Sequence, residues 1–324
     1  MATGREAVAA STSDRPNQPS PDLAAARAAV SGRLAPSGIA LLITLTFTWG
    51  LNWPMMKLAL LEVPPWTFRT LCLLVGGTVL LGLARLGGGS AALPAGRLPL
   101  LVFVSLFNIT GWHLFSAYGL INTGSGRAAI VAYTMPLWAS LLSVFVLRAR
   151  LTFAQILALG LGMGAMFLLL AEDLEVLGAA PLGTLLMLGA AVSWAIGTVL
   201  IKKFDWGQLP VTALTGWQQL LGGMPILIGW WMLEPWPDLL GLSLPSAIGL
   251  AYAVFVAMIF CHTAYFKLVS LLPAHVAAIS VLAVPVVGVV SSALILAEPV
   301  GLPEAGALLL VVSGLFLLVR SARP

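Results

Sequence analysis

The stretch WGLNWPMMK, Trp49–Lys57, closes a long apolar run in which every side chain should meet hydrocarbon. It nonetheless carries two tryptophans, an asparagine, a proline and a lysine. A second stretch, WAIGTVLIK at Trp194–Lys202, repeats the Trp-to-Lys spacing 145 residues later, and Pro65 and Pro210 extend the match. Further along the offset is 149. There His113 pairs with His262, Pro136 with Pro285, and GAMFLLL from Gly164 with SGLFLLV from Ser313. The change of four residues is one loop-sized insertion. Landmarks kept in the same order describe two copies of one design.

Composition says what that design is for. The chain has 324 residues, is 60% hydrophobic and 9% charged, and has a mean hydropathy of +1.01. Soluble domains carry roughly 25% charged residues. A helix crossing the hydrocarbon core takes about 20 apolar residues. Ten such runs lie near 37–57, 65–84, 98–118, 127–147, 153–171, 182–203, 208–232, 246–267, 276–296 and 303–320, with Pro, Gly and charges in the short connections. Residues 1–35, rich in Ala, Ser and Pro, read as a disordered cytoplasmic tail; they lack the short apolar core and cleavage site of a secretory signal. Residues 36–175 and 176–324 then form one five-helix repeat each. Cys72 and Cys261 lie inside apolar runs and read as small core residues.

Charge orients the spans. With the N-terminus in the cytoplasm, Arg5, Arg15, Arg27, Arg33, Arg85, Arg97, Arg148, Arg150, Lys202, Lys203, Lys267, Arg320 and Arg323 fall inside, 13 of the 16 basic residues. Glu62, Glu172, Asp173, Glu175, Glu234, Asp238, Glu298 and Glu304 fall outside, 8 of the 12 acidic residues. This is the positive-inside pattern, with both termini cytoplasmic. It explains the basic net charge of +4 without nucleic acid. Five helices are an odd number, so the second repeat enters the membrane upside down. The expected fold is an all-α integral membrane protein of ten transmembrane helices in two inverted five-helix repeats, an arrangement typical of secondary transporters.

The chain resembles the ten-helix EamA-type members of the drug/metabolite transporter superfamily, over roughly residues 37–320. The resemblance is carried by TWGLNW in the first span, Phe68–Arg69 in the second, AAIVAYTMPLWASLLSVFVL in the fourth and AAISVLAVPVVGVVSSALILAEP in the ninth. The family pattern usually ends in Gly-Glu or Ala-Glu; Glu298 fits it, whereas the first-half position is Ala149. The resemblance implies a substrate cavity between the halves, lined by spans 1, 3, 4, 6, 8 and 9. It also implies export of small metabolites, amino acids prominent among them, across the cell (inner) membrane. Broader drug or metabolite efflux and uptake are the alternatives within that class.

Candidate substrate-binding residues follow from depth and pairing. Trp49, Asn52, Trp53 and Met56 share one helix face. A buried amide must be satisfied, so that face should point into the bundle. On the matching face of span 6 lie Trp194, Gly197, Thr198 and Ile201. His113 and His262 occupy equivalent positions on opposite sides of the midplane, where an ionisable group is a functional suspect; their bland alternative is a neutral ring bonded to a carbonyl. Asn108 and Tyr133 lie on central spans. Gln218 and Gln219 are adjacent and cannot share a face, so one is expected to reach the cavity and the other to bond a neighbour. Pro136 and Pro285, each mid-span, are candidate hinges that free the carbonyls of Ala132 and Val281. Lys57 and Arg69 are each candidates to recognise a substrate carboxylate; the alternative reading is favoured for both, Lys57 snorkelling to headgroups and Arg69 as a structural tie between helix ends. Trp66, Trp206, Trp230, Trp231 and Trp236 read as an interfacial belt.

Other chemistries lack their residues. GLGMGA at Gly160–Ala165 has no preceding strand to make it a nucleotide loop. No phosphate loop, HExxH or Ser/His/Asp grouping is recognisable, so neither enzyme, cofactor nor metal is expected. No Asp or Glu falls mid-span, which favours neutral, zwitterionic or anionic metabolites, large or aromatic amino acids fitting best. The partners expected are that small molecule and the lipid bilayer, with the chain a monomer or weak homodimer.

Overall fold

The computed structural model describes the backbone of residues 36–88, 90–177, 181–271 and 274–321; among these, the side chains of 36, 172–177, 266, 269–282 and 321 lie outside the description. The expected tail at 1–35 lies outside it too. The described residues form ten helical spans and no strand. They are α1 (Pro36–Ala59), α2 (Pro65–Leu86), α3 (Leu98–Ile121), α4 (Ser125–Leu147), α5 (Phe153–Leu177), α6 (Leu182–Lys203), α7 (Val211–Leu233), α8 (244–271), α9 (Ala274–Leu296) and α10 (Leu302–Ser321). Among the described residues, eight spans are long and apolar enough to cross a membrane, and α9 contributes the apolar stretch Ala283–Leu296. Gln218, Gln219 and several glycines dilute α7. The exposed side chains are large and apolar, among them Phe47, Phe145, Phe167, Leu294 and Leu309. The outer surface of this bundle is suited to lipid and its polar groups are turned inward.

Packing repeats the sequence repeat. Helix α2 lies along α7, and α5 along α10. Helix α1 packs on α9 and α8, while α6 packs on α4 and α3; α2 also meets α8, as α7 meets α3. Exchanging each helix with the one five places on maps this set of neighbours onto itself. Close approach needs small residues at the seams. A Cβ on Gly249 of α8 would lie 2.4 Å from the Met55 carbonyl oxygen of α1, and one on Gly50 of α1 would lie 2.4 Å from Val287 Cγ1 of α9.

Irregular backbone occurs at matched places. In α3 a π-helical segment runs Leu106–Gly111, and in α8 another runs Tyr252–Cys261. Each ends directly before the turn that carries His113 or His262. Such bulges cluster at functional sites in general. The two prolines behave differently. Helix α4 breaks into Ser125–Ala132 and Met135–Leu147, and the Thr134 carbonyl accepts from both Leu137 N–H (2.9 Å) and Trp138 N–H (3.3 Å). Pro136 thus sits at the start of a new segment. Pro285 lies inside the continuous helix α9.

Candidate functional site

The tryptophans of the opening motif stand at helix contacts. Trp49 is half-buried on α1, its ring centroid 5.4 Å from Tyr265 and 6.2 Å edge-on from His262, both on α8. Its repeat-mate Trp194, half-buried on α6, lies 5.2 Å from Trp112 of α3 in a T-shaped contact. The α1–α8 and α6–α3 contacts are equivalent, so each tryptophan is matched by the other. Trp53 and Met56 face the main packed cluster with Phe68, Tyr133 and Met258, against which Trp49 and Trp112 also pack. Asn52 shares that helix face, and its buried Oδ1 has no hydrogen-bond partner. Thr198 is half-buried one turn beyond Trp194.

The histidines differ. A ring nitrogen of His262, Nδ1, lies 3.0 Å from the Ala257 carbonyl within the π segment, so it donates there. This is the bland arrangement considered for it from sequence. His113 is 3% exposed and its Nδ1 has no partner. Asn108 and Gln218 are brought together: Asn108 Nδ2–H donates to Gln218 Oε1 at 3.0 Å. Gln218 thus faces α3, and Gln219 turns its unpartnered Oε1 toward Gly76 of α2.

Two sequence expectations are corrected. Lys57 does not snorkel: its Nζ donates to the carbonyls of Leu120 and Thr123 (2.8 Å to the latter), capping the C-terminus of α3, where a cation is favoured. Trp206 is buried among Leu101, Val104 and Leu214, and its Nε1–H donates to the Ile201 carbonyl at 2.9 Å. Arg69, expected about one turn inside its span as a structural tie, is 2% exposed and bonds the His113 carbonyl and the Ser116 hydroxyl, joining α2 to α3. Trp112 was missed as a site neighbour; it is visible in sequence only as one aromatic in an apolar run.

One end of the bundle is tied by carboxylates reaching across the halves. Glu234, after α7, accepts from Trp66 N–H (3.0 Å) and from Thr67 N–H and Oγ1–H (2.8 Å each), at the start of α2. Glu298, after α9, accepts from Ser125 N–H (2.8 Å), Ser125 Oγ–H (3.0 Å) and Gly126 N–H (3.0 Å), at the start of α4. Glu62, after α1, accepts from Ser243 N–H (2.8 Å) and from its hydroxyl, at the start of α8. Arg127 pairs with Glu304. Helix N-termini present unsatisfied N–H groups and a positive dipole end, so each carboxylate is well placed.

The Ser243 hydroxyl and then its N–H hold the Glu62 carboxyl below the usual carboxylate range. A depressed value contributes stability above the unfolded pKa and loses it as pH falls through the folded one. Thermal melts of the wild type should therefore fall on acidification below about pH 4, and Glu62→Gln should flatten part of that decline. An unchanged acid slope would remove Glu62 from the tie.

With the fold and these groups placed, the likeness to known proteins is specific. The sequence profile of the EamA-like transporter family matches twice, over residues 36–171 and 181–320. The chain belongs to the EamA-like transporter family. It is 30% identical over 295 residues to the Salmonella typhimurium protein named "Probable amino-acid metabolite efflux pump", covering 88% of this chain and 95% of that one. It is 27% identical over 277 residues to the Bacillus subtilis protein named "Uncharacterized transporter YvbV", covering 86% of this chain and 90% of that one. A solved crystal structure at 21% identity superposes with a TM-score of 0.61, covering 89% of this chain and 99% of that chain, which is a likeness of fold. The EamA family's two-repeat membrane architecture is thus this chain's architecture.

Proposed function

We propose that this protein is a secondary transporter exporting amino acids or related small metabolites across the cell (inner) membrane by alternating access. In this reading the two five-helix units are inserted in opposite orientations and both termini are cytoplasmic. Substrate sits between Trp49 and Trp194, with Asn52, Trp53, Tyr133, Thr198 and the two histidines around it, and with Asn108 and Gln218 bracing the floor. The observation that carries the reading is that the principal helix pairs map onto one another when the halves are exchanged, while among the described residues α4 also packs on α1 and α10 without an equivalent packing of α9 on α6 and α5. A molecule with that property has two related conformations, in which each half adopts the other's packing, and exchange moves a central site from one face to the other. Substrate biases the exchange only by binding the two states differently. The break at Thr134–Pro136 supplies a flexing point in the first half, and the bulge before each histidine supplies another.

The name of the Salmonella relative supports amino-acid metabolites as the first compounds to try. The test is counterflow in sealed liposomes containing the purified protein, with each amino acid in turn. Saturable exchange of labelled for unlabelled compound is expected. Flux that rises without saturation points to a channel, chemical conversion points to an enzyme, and no exchange of any amino acid overturns the substrate class.

A further inference from the structure

We propose that Arg69, with His113, is a binding site for a single carboxylate, so that the substrate carries one acid group. The proposal rests on the transporter reading for its meaning, but its evidence is local. Arg69 lies in the second turn of α2, fully enclosed. Its Nε–H donates to the His113 carbonyl (3.0 Å), Nη2 to Ser116 Oγ (2.8 Å), and Nη1 reaches only Met56 Sδ (3.5 Å). A thioether is a weak acceptor. All three partners are neutral, and among the described residues no carboxylate forms an ion pair with the guanidinium. Five N–H groups are available on a guanidinium, so these contacts leave two unused, with Nη1 at the poorly satisfied end.

A buried charge without a counter-charge is costly. A mere tie between α2 and α3 does not need it, since a neutral donor would make the same bonds to a carbonyl and a hydroxyl. The residue whose carbonyl Arg69 holds carries a second unsatisfied group: His113 Nδ1 is buried and without a partner. Met56, at the open end of the guanidinium, belongs to the cluster that holds Trp53, Phe68 and Tyr133 and against which Trp49 and Trp112 pack. The vacant bonding capacity therefore borders the aromatic site. A planar carboxylate is the group that fills two guanidinium N–H directions at once. The repeat-mate of Arg69 at the offset of 145 is Leu214, so the second half offers no equivalent and the site takes one acid group per molecule.

The test uses probes of known structure on the purified full-length protein. 3-Phenylpropionate and its carboxamide share size and ring and differ in the acid. By thermal shift, the wild type should bind the acid at least about tenfold more tightly than the amide, as charge-assisted hydrogen bonds imply. Arg69→Gln should bring the ratio to about one, and Arg69→Lys should keep a reduced preference because the charge remains but the fork is lost. A role confined to bracing would lower the ligand-free melting temperature in both variants and leave the wild type without preference. Equal binding of acid and amide by the wild type overturns the proposal even if Arg69→Gln does not fold. So does an undiminished ratio in Arg69→Lys together with Arg69→Gln. Because the readout is binding, it separates from counterflow: exchange without acid preference sinks this site alone, and acid preference without exchange of any amino acid sinks the amino-acid substrate class alone.

Discussion

Replacing Glu298 by alanine is expected to destabilise the protein by about 1–3 kcal/mol, the range for leaving buried donors unpaired. Its carboxylate accepts three hydrogen bonds at the first turn of α4, and Ser125 Oγ is further engaged by Ser292 Oγ at 2.7 Å. The site is clamped from two directions. Lys57 caps the end of α3 and Glu298 the start of α4, on either side of the turn at 122–124, and the two side chains also attract each other. Opposite charges thus sit on opposite dipole ends. Thermal melting in detergent measures the loss. Glu298→Gln should recover part of it, since an amide oxygen still accepts, and Lys57→Met combined with Glu298→Ala should be non-additive, as expected for two charges capping helix ends on either side of one turn. A melting temperature unchanged in Glu298→Ala would mean the cap contributes nothing.

The carboxylate ties also bear on which conformation is preferred. Exchange of the halves would require equivalent acids at the other end. The mate of Glu298 is Ala149, that of Glu62 is Gly207, and that of Glu234 falls within Arg85–Gly89, which holds no acid. In the alternating-access reading the ties therefore form in one state only. Removing Glu298 then moves the balance toward the other state, about tenfold for each 1.4 kcal/mol of lost differential stability.

The ten spans were legible because a hydrocarbon solvent demands long uninterrupted apolar runs with charges swept to their ends. The repeat was legible in Trp49, Trp194, His113 and His262 because spacing survives where identity does not. What was hidden depended on neighbours distant in sequence. Asn108 and Gln218 are 110 residues apart and meet because α3 crosses α7. Lys57 looked like a snorkelling lysine because nothing local says that two α3 carbonyls wait beside it. Arg69 was legible as a structural tie one turn inside its span, but its full enclosure was not, because its depth is set by packing on α3. The two prolines share chemistry and differ in outcome. Pro285 sits in a helix pressed against α1 and α4, where Gly288 lets Trp53 and Ala129 approach closely, and Pro136 sits where the backbone is already broken. The π segments have no compositional signature and were missed in both halves.

Trp49→Ala is expected to reduce transport at least about tenfold at equal membrane abundance, while changing thermal stability little. The ring is half-buried, so it is not a main contributor to the core, and its contacts with Tyr265 and His262 are of the aromatic kind worth about 0.5–1.5 kcal/mol beyond area burial. Four residues on, Trp53 is enclosed in the main cluster, and Trp53→Ala should cost about 3–5 kcal/mol in folding. The contrast separates two residues proposed to line the site on one face of one helix: Trp49, which the fold can lose, and Trp53, which the fold also needs. Trp49→Phe keeps an aromatic edge against His262 and should restore much of the flux. Trp194→Ala, at the mated position, should lower transport in the same way, because each half presents its tryptophan to the third helix of its partner design. Flux by Trp49→Ala equal to wild type would exclude this residue from the substrate path. A large loss of stability instead would assign it to packing.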